Sequence, residues 1–144
     1  MQLKMLCFES QGIGFAIDLE ELAAAAGSCP FVAYPGLPKN VTGIVQWGGK
    51  IFPVVDLWSI LNRTFKVEPP AGLIEDRMFV FSQSQAKGKF KEFAVPIPAD
   101  VRMIAPAEVK KPGKDSPFFV KSIVRDTEGN EAHVISLSSL ALAV

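Results

Sequence analysis

The sequence predicts an all-β fold made of one unit used twice, with only a few short helices. Three observations lead there: short apolar runs divided by turn-forming residues, prolines gathered in the connections, and an internal repeat in strict order.

Met5–Glu9 and Gly14–Asp18 flank Ser10-Gln11-Gly12-Ile13, a hairpin turn whose glycine supplies a positive φ. Ile44–Trp47 and Ile51–Val55 flank Gly48-Gly49-Lys50, the clearest hairpin in the chain. Met78–Ser82 and Glu92–Val95 are joined by a longer, lysine-bearing stretch, Gln83–Lys91. Phe118–Arg125 and Ala132–Ile135 enclose Asp126-Thr127-Glu128-Gly129-Asn130, again a turn composition. Helices are short. Asp18 is expected to cap a helix over Leu19–Ala26, with Glu21 completing a capping box and Gly27 ending it. Asp56 is expected to cap Leu57–Leu61, and Ala99–Ile104 is too short to assign.

Most of the eleven prolines, among them Pro30, Pro35, Pro38, Pro69, Pro70, Pro106, Pro112 and Pro117, fall in connections. Pro53 and Pro96 fall inside strands. Each removes a ladder donor, so edge positions or bulges are expected there.

The repeat has four blocks in the same order in both halves. Met78-Phe79-Val80-Phe81 echoes Met5-Leu6-Cys7-Phe8, and Phe93-Ala94-Val95 echoes Phe15-Ala16-Ile17. Val120-Lys121-Ser122-Ile123-Val124 echoes Val41-Thr42-Gly43-Ile44-Val45. Val134-Ile135-Ser136-Leu137-Ser138-Ser139-Leu140 echoes Val54-Val55-Asp56-Leu57-Trp58-Ser59-Ile60. The units span approximately residues 1–70 and 71–144, meeting at Pro69-Pro70-Ala71-Gly72, a connection too short to separate independent domains. Two hairpins alone bury little, so each copy should curl into a barrel-like sheet, and the two sheets should pack together or exchange strands. Asp56 and Ser136 occupy equivalent positions and share helix capping, which removes the case for Asp56 as a catalytic acid.

Composition narrows function. The chain has 144 residues, 49% hydrophobic and 21% charged, enough apolar material for the core of one domain. Fifteen basic residues balance fifteen acidic ones, which argues against a general polyanion binder. Two cysteines, Cys7 and Cys29, are too few for a disulfide framework, and no apolar run approaches the ~20 residues that cross a bilayer. A cytoplasmic protein is expected.

Catalytic constellations are missing from the sequence. The single histidine, His133, stands at the strand position equivalent to Pro53 and forms no metal-spaced motif with the cysteines. Gly48-Gly49-Lys50 lacks the first glycine and the Ser or Thr of a phosphate loop, and Gly12-Ile13-Gly14 lacks the third glycine of a dinucleotide site. No catalytic residue, cofactor or metal is expected. Lys87, Lys89 and Lys91, then Lys110, Lys111 and Lys114, form two basic loops. With Phe90 they support the alternative of a small-barrel nucleic-acid binder, against the simpler role of keeping hairpin edges soluble.

The stretch Val41–Leu61 carries a family resemblance. From Tyr34-Pro35-Gly36-Leu37-Pro38 through Val41-Thr42-Gly43-Ile44-Val45, the Gly48-Gly49 hairpin and Pro53-Val54-Val55-Asp56-Leu57, it resembles the signature of CheW-like domains. The resemblance extends over Leu6–Ile17 and Met78–Val95 and weakens after Ala99. It implies two intertwined, five-stranded, SH3-like barrels in a single domain. It also implies a non-enzymatic adaptor bridging a CheA-like histidine autokinase and the cytoplasmic tip of a chemoreceptor, recruited to membrane-associated arrays without inserting in the membrane.

One departure concerns partner choice. The family pattern Asn-Leu-Arg-Gly, whose arginine is associated with receptor contact, is here Gln46-Trp47-Gly48-Gly49. Glycine supplies none of the arginine's charge-assisted hydrogen bonds, so either the receptor surface differs or the protein couples to something other than a standard chemoreceptor, with a pathway for surface or pilus-driven motility as the expectation. Partner binding is therefore placed on Val41, Gln46, Trp47, Gly48, Lys50 and Trp58, and structural roles on Gly43, Gly49, Asp56 and Ser136. Trp47 reads equally as an aromatic anchor and as a core residue of its sheet, and Trp58 poses the same question.

Overall fold

A computed structural model describes residues 4–27, 29–70, 73, 77–83 and 91–143. In chain order its strands are β1 Met5–Ser10, β2 Ile13–Asp18, β3 Leu22–Ala26, β4 Phe31–Ala33, β5 Val41–Trp47 and β6 Lys50–Val55. Helix α1, Leu57–Phe65, closes the first half. The second half holds β7 Arg77–Ser82, β8 Ala94–Pro98, β9 Arg102–Ile104, β10 Glu108–Lys110, β11 Val120–Arg125 and β12 Glu131–Ile135, then α2 Leu137–Leu140. Short 3-10 turns occupy Leu19–Glu21 and Ala141–Ala143.

The halves exchange hairpins. One sheet runs β10-β11-β12-β2-β1-β9 and the other β3-β7-β8-β6-β5-β4. Each thus joins the first hairpin of one half to the second hairpin of the other, through a parallel pairing. The result is two intertwined barrel-like subdomains. Each sheet has six strands, one more than the five expected per barrel, because the three-residue β4 and β10 extend the second hairpins.

Exchange explains the unbroken apolar runs. Met5, Cys7, Ala16, Val124, Ala132 and Val134 fill the inside of the first sheet, and Val45, Phe52, Val54, Phe79, Phe81 and Ala94 the inside of the second. The alternate residues Leu6, Phe8, Phe15, Ile17, Val80 and Val95 turn the other way and meet both helices in one shared core. A strand buried on both faces has no polar side to show in its sequence. Hairpin geometry follows the glycines: Gln11 and Gly12 sit at φ 51° and 81°, Gly48 and Gly49 at 59° and 77°, the double left-handed turn that matches strand twist.

Both caps form. Ser59 N–H donates to Asp56 Oδ1 at 3.1 Å, and Ser139 N–H donates to Ser136 Oγ at 3.2 Å. α1 runs past Leu61 to Phe65 and ends at Lys66, whose φ of 58° is the left-handed stop.

The expected helix over Leu19–Ala26 does not form. Asp18 accepts from Glu20 N–H at 3.1 Å, but only the Leu19–Glu21 turn follows, and Leu22–Ala26 becomes β3, paired antiparallel with β7. Alanine's helix propensity yields to the ladder and to the burial of Ala24 and Ala26 against the second sheet's interior. Glu21 closes no capping box; its Oε1 instead accepts from Leu137 N–H (3.0 Å) and Ser138 N–H (3.3 Å) at the start of α2, while Lys121 Nζ lies 3.2 Å from Oε2. Glu21→Ala should lower stability by about 1–2 kcal/mol, read as a lower urea midpoint, and Glu21→Gln by roughly half that. No shift for either variant would refute the capping role.

Pro53 and Pro96 lie on β6 and β8, the two innermost strands of their sheet, and not at an outer edge. The reason is that the ladder between these strands stops at the prolines: only Val54 and Ala94 pair.

Candidate partner-docking surface

Trp47 pairs with Lys50 across the Gly48-Gly49 turn. With both glycines left-handed, an arginine at position 48 would carry a side chain where L-residues rarely sit. Trp47 packs and still shows an edge: its ring stacks on Phe81 at 5.0 Å, yet it stays 40% exposed. Gln46, Gly48 and Lys50 are exposed, and Lys50 Nζ lies 4.0 Å from Glu92.

Two expected partner-binding residues have no surface to offer. Trp58 is 1% exposed, packed on Phe8 and Phe15 with Nε1–H donating to the Pro96 carbonyl at 3.1 Å. Val41 is buried at the start of β5. Trp58 belongs to the shared core, and Val41 is covered where it pairs with Val55 of β6.

Cross-strand register builds a larger feature beside the turn. Val32 pairs with Ile44, Ile44 with Pro53, and Gln46 with Ile51, so these five share one face of β4–β5–β6. Val32 is 51% and Ile51 65% exposed, and no member is charged. The repeat places Lys110, Ile123, His133, Arg125 and Glu131 at the same positions of β10–β11–β12. There the face is charged and internally neutralised: Arg125 lies 2.9 Å from Glu131 and 3.8 Å from Glu108, and Lys110 lies 3.7 Å from Glu131. The Arg125–Glu131 hydrogen bond pulls the Glu131 carboxyl below its usual range and raises Arg125. One scaffold position thus carries a closed charge network in one half and an open apolar face in the other. Sequence reasoning missed Val32, Ile44, Pro53 and Ile51 as a group because β4 was not foreseen; the signal was the substitution of Ile51 for Glu131 within the repeat.

Other clusters are structural. His133 packs on Phe65 at 4.7 Å and Phe15 at 6.1 Å, and burial lowers its pKa, partly opposed by Glu131. It is not among the residues lining the groove beside Asp56. That open groove, about 490 Å³, is lined by polar groups already paired: Arg63 Nη2 donates to Asn40 Oδ1 at 2.8 Å and Asn62 Nδ2 to Glu68 Oε1 at 3.2 Å. Burial pushes the Cys7 thiol up despite Arg102 nearby, away from the reactive thiolate. Among the described residues no His, Cys, Asp and Glu side chains group as a metal site, and no helix is long and apolar enough to cross a membrane. Lys87, Lys89 and Phe90 lie outside the described residues, and Lys110 is engaged in the ion-pair network.

Together these features define a duplicated all-β domain of two barrel-like subdomains with exposed sheet faces. The chain belongs to the CheW-like domain family, whose model matches residues 4–143. The fold is similar to the crystal structure of the scaffolding protein TtCheW from Thermoanaerobacter tengcongensis, with a TM-score of 0.69 and 18% identity over 94% of this chain and 90% of that one. No curated protein matches the chain at a significant level.

Proposed function

We propose that this domain is a non-enzymatic adaptor coupling a chemoreceptor-type sensor to a CheA-like histidine autokinase in chemotaxis-like signalling. The observation that supports it most is the contrast between the two equivalent faces, one closed by its own ion pairs and one left apolar and open. The docking surface comprises Val32, Ile44, Ile51 and Pro53 with the Gln46–Lys50 turn, and Trp47 is its aromatic anchor. The chain acts in the cytoplasm, reaches receptor arrays through its partners, and makes no bond-breaking step and no nucleic-acid contact. Glycine at position 48 in place of the family arginine favours a non-standard receptor, as in surface or pilus-driven motility.

Co-sedimentation with a cognate kinase regulatory domain and a receptor cytoplasmic fragment tests the proposal. Binding of either at micromolar concentration is expected, and binding of neither overturns it. Ile51→Asp, on a side chain 65% exposed, should weaken one partner roughly ten-fold or more while leaving thermal unfolding unchanged. Glu108→Ala on the charged face should leave that affinity unchanged.

A further inference from the structure

The two parallel seams that join the halves differ. In the first sheet β12 and β2 pair over three positions, His133–Phe15, Val134–Ala16 and Ile135–Ile17. The repeat maps these onto Pro53–Phe93, Val54–Ala94 and Val55–Val95, yet β6 and β8 pair only at Val54–Ala94.

Main-chain direction explains the loss. Ser82 N–H donates to the Phe93 carbonyl at 2.9 Å and Phe93 N–H to Ser82 Oγ at 3.1 Å, so Phe93 faces β7. The period of two then turns Ala94 and Pro96 toward β6. In a parallel ladder a residue bonds the two neighbours of its opposite number, here Pro53 and Val55. The next rung on one side needs an N–H at residue 96, and on the other side an N–H at residue 53. Proline has neither.

A donor from outside the ladder stands in. Trp58 lies in the first turn of α1, which follows β6 after one residue, and its Nε1–H reaches the Pro96 carbonyl at 3.1 Å. This bond ties the end of β6 to β8. In the other half the equivalent residue is Ser138, whose hydroxyl lies 3.0 Å from that of Ser136, and the seam there keeps its three pairs.

We propose that the β6–β8 seam is a shear joint along which the β5–β6 hairpin slides against β7–β8. The Trp58–Pro96 hydrogen bond is its latch, and the β12–β2 seam is the fixed side. The joint belongs to the free domain and goes beyond the docking role. One of its two strands, β6, also carries Ile51 and Pro53, so a partner on that face would hold the sliding hairpin.

Amide hydrogen exchange of the intact protein tests this. Val55 and Ala94 should exchange about ten-fold or more faster than their counterparts Ile135 and Ala16. Trp58→Phe keeps a ring and removes the donor; it should speed Val55 and Ala94 by roughly a further ten-fold, while Ala16 and Ile135 change by no more than the global loss of stability read by urea accounts for. Pro96→Val restores a rung and should slow the same two amides. Equal protection at both seams in the unmodified protein, or a Trp58→Phe effect spread evenly over both, overturns the proposal.

Discussion

Trp58→Ala is expected to cost about 3–5 kcal/mol of unfolding free energy, measured by urea denaturation with the slope unchanged. The ring is 1% exposed and sits where both halves meet, 5.7 Å from Phe8 and 6.4 Å from Phe15 by ring centroids. Removing it opens a cavity that neighbours from two sheets and one helix can close only in part. The Pro96 carbonyl also loses its donor, and a buried acceptor left bare adds its own penalty. Trp58→Phe separates the two terms: most of the packing survives, so a loss nearer 1 kcal/mol should remain, mainly the hydrogen bond. A loss below about 1 kcal/mol for the alanine variant would show that the shared core does not depend on this residue.

How much of this was legible in the sequence follows from which forces are local. Eight strands, both helix caps and the hairpin turns are written in neighbouring residues: Gly48-Gly49 for a left-handed turn, Asp56 and Ser136 three residues before the N–H groups they accept from. The repeat further supplied the idea of two sheets sharing or exchanging strands. What it hid is set by contacts across the chain. Leu22–Ala26 reads as helix until β7 arrives beside it, and Glu21 reads as a local cap until α2, more than a hundred residues later, takes its carboxylate. Phe31–Ala33 and Glu108–Lys110 are too short to show a period. Their absence from the sequence picture concealed the apolar face, since Val32 gains its neighbours only by pairing with Ile44. Trp58 was ambiguous for a related reason. An aromatic opposite a serine in the repeat looks dispensable, and both things that give it work, the packing on Phe8 and Phe15 and the interrupted ladder, lie far away in the chain.

Gly43→Ala is expected to cost about 3 kcal/mol, although the substitution adds one methyl group and the backbone there needs no left-handed conformation. A Cβ at position 43 would overlap the Val32 carbonyl oxygen and lie 3.0 Å from both Ala33 Cα and Phe31 Cε2. The obstruction is largely main chain, which has no rotamer to change, so β4 must lift away from β5. The repeat supplies the control. Ser122 stands at the equivalent position of β11 and carries a side chain without difficulty. The difference lies in the flanking strand: β4 continues to Ala33 opposite Gly43, whereas β10 ends at Lys110 opposite Ile123, one residue short of Ser122. Gly43→Ser, the residue its counterpart tolerates, should therefore be at least as damaging as Gly43→Ala. Thermal unfolding reads the loss, and partner binding should fall with it, because β4 carries Val32 of the proposed docking face. An unchanged midpoint for both variants would mean that β4 does not hold this close approach.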